Sequence, residues 1–111
     1  MALTRRPLAN VTICGGKGLD RVQLTEIELG PDQATGRHLH PVPVVGCVVA
    51  GRIYFQLEGQ PERVLTASEA FYEPAGRTIL RFDNASSSDA ATFVAVYLLG
   101  PGDEELIRPL D

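Results

Sequence analysis

Glycine and proline interrupt this 111-residue chain so often, 11 and 8 times, that little room remains for a helix. Proline removes a backbone donor and clashes with the preceding turn, and glycine inside a helix costs about 1 kcal/mol. Stretches of about a dozen residues are either broken by one of them or rich in the β-branched and aromatic side chains that favour strands. What is left is a series of short extended runs at regular intervals: "RVQLTEIEL", "VPVVGCVVAG", "RIYFQLEGQP", "RVLTA", "AFYEPAG", "TILRFDN" and "ATFVAVYLLGPG". This spacing predicts an all-β fold, an antiparallel sandwich or barrel, as a single domain over residues 1–111. The late "DEELIRPL" offers one helical turn at most, and "ASSSDAA" reads as a polar surface loop.

The first run, Arg21 to Leu29, alternates apolar and polar positions, and "GPD" behind it marks a turn. Between the second and third runs, Ala50 and Gly51 are placed for a tight hairpin joining two adjacent strands, since glycine takes the positive φ that such turns require. That turn carries Ile53 and Phe55 inward. Pro74 and Gly76 force another turn, with Glu73 at its entrance.

Composition narrows the function classes. A net charge of −4 and scattered basic residues give no footprint for a phosphate backbone, so nucleic acid is not an expected partner. No apolar run approaches the roughly 20 residues of a membrane span, and no apolar core follows the arginines of "MALTRRPLANVT", so no membrane partner and a cytoplasmic location are expected. Cys14 and Cys47 form neither a CxxC pair nor a disulfide framework and are expected as free thiols. The cluster "CGGKGL" lacks the ending and following helix of a phosphate-binding loop.

The chemistry concentrates in "GRHLHPVPVVGCVVAG", which holds both histidines of the chain, His38 and His40. Side chains two apart on a strand share a face at about 7 Å, so the two imidazoles can converge on one ion. Neutral imidazole suits Zn, Fe, Mn or Ni. The competing reading is a pair of exposed loop histidines beside Pro41.

Together with "FYEPAGRTILRFDNAS", this segment resembles the two motifs of the cupin superfamily, over about Gly30 to Leu99. His38, His40 and Gly51 fall on the first motif, and Pro74, Gly76 and Asn84 fall in or near register with the second. The resemblance implies a jelly-roll β-barrel, with the motif-bearing core over about residues 21–99, and commonly one divalent metal held inside by three histidines and a glutamate. Here the glutamate position of that pattern falls on Val44 and the third histidine position on Ile79.

Glu73, just ahead of Pro74, is the best substitute ligand, so His38, His40 and Glu73 are the candidate metal set, with an exposed turn carboxylate as the plain alternative. Parity places Cys47 outward if Val44 faces inward. Val44, Val48, Ile53, Phe55 and Ile79 are then expected to line the cavity, with Tyr72 offering a hydroxyl. Arg77 and Arg81 share the face of Ile79 under strict alternation, while Leu80 and Phe82 face away, which makes Arg81 a candidate to bind an anionic ligand.

Two functions from different classes follow. One is a metal-dependent enzyme acting on a small organic substrate, for which the resemblance implies an oxygenase, isomerase or decarboxylase type of reaction. The other is a metal-free cupin that binds a small molecule without catalysis. A barrel retained for an interface, with a residual pocket, is the third and plainest. The resemblance is to small cupins that pair as homodimers, and a domain of this length has its own reason to bury surface against a second copy, so a homodimer is expected.

Overall fold

Side chains on a strand alternate between two faces, and this alternation organises the whole molecule. The structure, a computed structural model, describes residues 2–110. Nine strands and no helix occur among the described residues: β1 Arg21–Leu29, β2 His38–Leu39, β3 Val44–Ala50, β4 Arg52–Leu57, β5 Arg63–Thr66, β6 Ala70–Glu73, β7 Ile79–Asn84, β8 Ala91–Leu99 and β9 Arg108–Pro109. They form two antiparallel sheets, ordered β1-β8-β3-β6 and β5-β4-β7-β2-β9, packed face to face as a jelly roll. The closing "DEELIRPL" is extended, and β9 pairs with β2 in place of a helical turn.

Strand β8 shows the alternation most plainly: Ala91, Phe93, Ala95, Tyr97 and Leu99 are buried and the residues between them half-buried. Strand β1 is less regular. Ile27 and Leu29 pair with inward Phe93 and Ala91, whereas Val22 and Leu24 pair with Leu98 and Val96 and stand exposed on the outer face. The four prominent apolar residues of "RVQLTEIEL" therefore divide between two faces, two for the core and two for the outside.

Between the sheets, Phe71 and Phe93 from one meet Phe55 and Phe82 from the other. Phe82 lies 4.7 Å from Phe93 and 5.0 Å from Phe71 between ring centroids, edge to face. Such contacts add about 0.5–1.5 kcal/mol per pair beyond the burial of the rings. Val44, Val48, Ile53, Phe55 and Ile79 are all essentially sealed in this core.

The Ala50-Gly51 segment is not a hairpin. Strand β3 pairs with β6 and β8, and β4 pairs with β5 and β7, so at Gly51 the chain crosses from one sheet to the other. Gly51 has φ of +84°, and a Cβ there would lie 2.8 Å from the backbone of Ala90 and Ala91. The glycine answers both the turn and the close passage. Ile53 and Phe55 do face inward, but it is pairing within the second sheet that puts them there.

Strand β7 departs from strict alternation. Gln56 pairs with Arg81 and Leu57 with Ile79, so Leu80 is an extra residue opposite the step from Gln56 to Leu57. This bulge flips the parity: Ile79 and Phe82 both point inward, and Leu80 and Arg81 point out. Asn84, at the inner end of β7, ties three segments together, its amide donating to the carbonyls of Leu29, Gly30 and Asp89 while its oxygen accepts from Ser86 N–H.

Gly46 on β3 lets the Phe71 ring lie against the backbone; a Cβ there would come within 2.3 Å of that ring and 2.4 Å of the Val94 carbonyl oxygen. Backbone cannot yield as a flexible side chain can, so Gly46→Ala is expected to cost about 3 kcal/mol through overpacking. Urea unfolding of the variant measures it; a loss below about 1 kcal/mol would show that the ring relaxes freely.

Candidate metal centre

Strand β2 is only two residues long, yet it is pinned on both sides, His38 to Ile79 of β7 and to Pro109 of β9. His40 follows directly, and its carbonyl accepts the Gly76 N–H at 2.8 Å, which clamps the histidine segment to the Pro74–Gly76 turn. Both imidazoles are buried, with ring centroids 5.1 Å apart and nearly perpendicular planes.

Each ring uses one nitrogen on the protein. His38 Nδ1 lies 2.8 Å from the Gly36 carbonyl, and His40 Nδ1 lies 2.8 Å from the Leu106 carbonyl. A carbonyl oxygen only accepts, so in each ring Nδ1 carries a proton; Nε2 holds a lone pair in the neutral ring and becomes a donor when the ring is protonated. Carbonyl contacts of this kind orient ligating histidines in metal sites.

The third member is Glu73, 4% exposed, whose Oε1 stands 3.3 Å from His40 Nε2. One ligating atom from each of His38, His40 and Glu73 lies within 4.8 Å of the others. Burial, the largest influence on His40, pulls its pKa down, but the hydrogen bond and charge of Glu73, with the Leu106 carbonyl, outweigh it and raise the pKa above the ordinary 6.5. Tyr97, whose ring packs edge-on to His40 at 5.8 Å, is pushed up by its own burial and by the Glu73 charge.

Beside this group lies a cavity of about 180 Å³, its walls supplied by Ile27, Phe82, Phe93, Ala95 and Tyr97, with Thr35, Ile107 and Pro109 also in its lining.

A family model for the cupin domain matches residues 25–97. The chain belongs to the cupin family. No curated protein sequence matches it significantly. Among solved structures, it is similar to a DMSP lyase described with the crystal structures of RdDddP and RnDddQII, at TM-score 0.68 and 23% identity over 81% of this chain and 44% of that one. It is also similar to an oxalate oxidase in complex with the substrate analogue glycolate, at TM-score 0.64 and 24% identity over 78% of this chain and 45% of that one. The protein TT1209 from Thermus thermophilus is matched at TM-score 0.62 and 27% identity over 73% and 75% of the two chains. The chain spans less than half the length of the lyase and oxidase chains.

Against the cupin pattern, the two apolar replacements have clear positions. Ile79 is the direct cross-strand neighbour of His38, so its side chain fills the place beside that ring. Val44 faces Glu73 across the β3–β6 ladder. A buried carboxylate thus stands on the strand beside the one where the pattern puts it. A divalent ion needs clustered lone pairs screened from bulk water, and the two Nε2 atoms, once deprotonated, with the buried carboxylate meet that requirement.

The remaining sequence-based site residues fall elsewhere. Val44, Val48, Phe55 and Ile79 pack into the core and do not line the cavity. Tyr72 alternates with inward Phe71 and Glu73 and so faces away from the site. Arg81, carried outward by the β7 bulge, pairs with Glu62 at 2.5 Å and Asp83 at 2.9 Å and stacks 4.0 Å above the Tyr54 ring. Arg77 donates to the Glu58 carbonyl on the surface. Cys47 faces out of the sheet, beside Val45 and Val94. Sequence reasoning missed Tyr97, Phe93 and Ala95, although the alternation of "ATFVAVYLL" carries their parity. The Leu106 carbonyl leaves no trace in sequence, because every residue has one.

The raised His40 pKa means that protonation favours the folded, metal-free protein: the gain is full below about pH 6.5 and is lost as pH rises through the folded-state value. Glu73→Gln removes the charge responsible. The stability difference between metal-free wild type and Glu73→Gln is therefore expected to shrink from about pH 6 to about pH 8, and the variant's His40 is expected to titrate lower by NMR. An unchanged His40 titration would show that Glu73 does not act on it.

Proposed function

We propose that this cupin holds a divalent metal, Zn, Fe, Mn or Ni, on His38, His40 and Glu73, and takes a small organic ligand into the adjoining cavity. The observation that carries the reading is the buried Glu73 carboxylate beside His40 Nε2, with both Nδ1 atoms committed to backbone carbonyls so that only the Nε2 atoms can turn to an ion. An ion held there would supply Lewis-acid polarisation of a ligand oxygen or a redox centre. The protein's own part is to present the lone pairs without reorganisation and to keep water from the ligand through Phe82, Phe93 and Ala95. Its likeness to an oxidase seen with glycolate and to DMSP lyases supports a small organic molecule as the ligand.

Metal analysis of tag-free protein tests this directly. Wild type is expected to retain close to one ion per chain, and His38→Ala/His40→Ala none. Glu73→Gln should weaken binding by at least the roughly 10- to 100-fold typical of lost support around a metal site. Because a proton competes for His40 Nε2, metal-dependent thermal stabilisation should grow from about pH 6 to about pH 8. Equal, negligible metal in wild type and the double variant would remove the proposal.

A second reading has its own support: His40 and Glu73 already satisfy each other as an ion pair, an arrangement that needs no metal. It makes the protein a noncatalytic binder, and it requires ligand-induced stabilisation that persists in chelator.

Pairing of two copies is part of the same proposal. Val22 and Leu24, 52% and 66% exposed, stand on the outer face of β1 alongside the half-buried Val96 and Leu98 of β8, an apolar sheet face suited to a twofold contact. Sedimentation at micromolar concentration is expected to give a dimer that Leu24→Glu dissociates; a wild-type monomer would contradict it.

A further inference from the structure

The metal-site cavity has an uneven lining. Apart from the three candidate ligands, its polar side chains are the hydroxyls of Tyr97 and Thr35; the rest is Ile27, Phe82, Phe93, Ala95, Ile107 and Pro109, with no lysine or arginine. Tyr97 is 4% exposed, and its hydroxyl meets no protein partner among the described residues, where no sealed side-chain polar atom is left unpaired. The hydroxyl therefore opens onto the cavity itself, on the inner face of β8 and beside the His40 ring.

Resting on the reading above, we infer that the site takes a small oxygen compound with one polar end and a compact apolar body, and that the Tyr97 hydroxyl is the donor that holds the polar end. Size follows from volume. A cavity of about 180 Å³ has room for a small molecule, on the order of six or more non-hydrogen atoms. Charge follows from the lining. The polar end sits where the candidate ligands and Tyr97 converge; a second acid group would be forced against the apolar wall of Phe82, Phe93 and Ala95, away from any cation. Burying a charge without a partner is strongly disfavoured. The site thus selects against dicarboxylates of the same size. Thr35, at the exposed rim, can assist the polar end on entry but is not held in place by the core.

The two probes are 3-methylbutanoate and butanedioate, close in size and different in their second end. Calorimetric titration of metal-loaded protein is expected to show 3-methylbutanoate at least about tenfold tighter than butanedioate, with Tyr97→Phe weakening it about tenfold, the scale of one hydrogen bond to a charged group. Metal content of Tyr97→Phe, measured without either acid, should equal that of wild type, which separates ligand positioning from damage to the ion site. Thr35→Val should change affinity less than Tyr97→Phe. Butanedioate binding as tightly as 3-methylbutanoate, or Tyr97→Phe binding as tightly as wild type, would overturn the inference. The same titrations on metal-stripped protein keep the two readings apart: failure of wild type to take up metal sinks the metal proposal alone, whereas absence of 3-methylbutanoate binding in both forms sinks this one.

Discussion

A strand gives each residue one of two faces, and the packing of two sheets on each other turns that choice into inside or outside. Everything usable in this protein depends on it. Phenylalanines at positions 55, 71, 82 and 93 meet between the sheets because each falls on the inward parity of its strand. They fill the middle of the sandwich so completely that Val44, Val48 and Ile79 are sealed there. Beside His38 and His40, where β2 and β9 are two residues long and the wall is partly loop, space opens.

The chemistry of that space is set by backbone as much as by side chains. Carbonyls of Gly36 and Leu106 take one nitrogen of each imidazole and leave the other bare. Glu73 then faces His40 Nε2, the two held by the Val44 ladder pair and by the Gly76 N–H bond to the His40 carbonyl. Compared with the family pattern, a buried carboxylate stands on the neighbouring strand, and Ile79 occupies the third histidine position. The candidate ligand set is smaller and its wall drier, and the two changes would act together: fewer protein ligands would leave more of an ion's coordination to whatever the cavity admits, while apolar walls restrict what that is.

The strand succession was legible because glycine and proline leave their mark locally, and the run Arg21–Leu29 has the bounds that its flanking turns imply. The place of Glu73 beside the histidines was legible because it lies next to the second motif, and in a jelly roll the two motifs face each other. Arg81 was misplaced because alternation was carried straight through Leu80; the bulge that breaks it arises from pairing β7 with β4, and no residue in "TILRFDN" announces it. The supposed hairpin at Gly51 failed for a related reason. Glycine signals a positive φ, but the same φ serves a turn within one sheet and a crossing between two.

By itself the sequence determined the class of fold, the membership of His38 and His40 in one constellation and the loss of two ligands from the family pattern, since these depend on residue identity and short-range spacing. The tertiary structure alone decided which groups meet: that Glu73 stands 3.3 Å from His40, that Tyr97 opens onto the cavity, that Tyr72 and Arg81 do not, and that a carbonyl from the late Leu106 orients a ring 66 residues earlier. Contacts between distant segments follow from strand register and bulges, which are settled when whole sheets pair and pack and are not encoded at any single position.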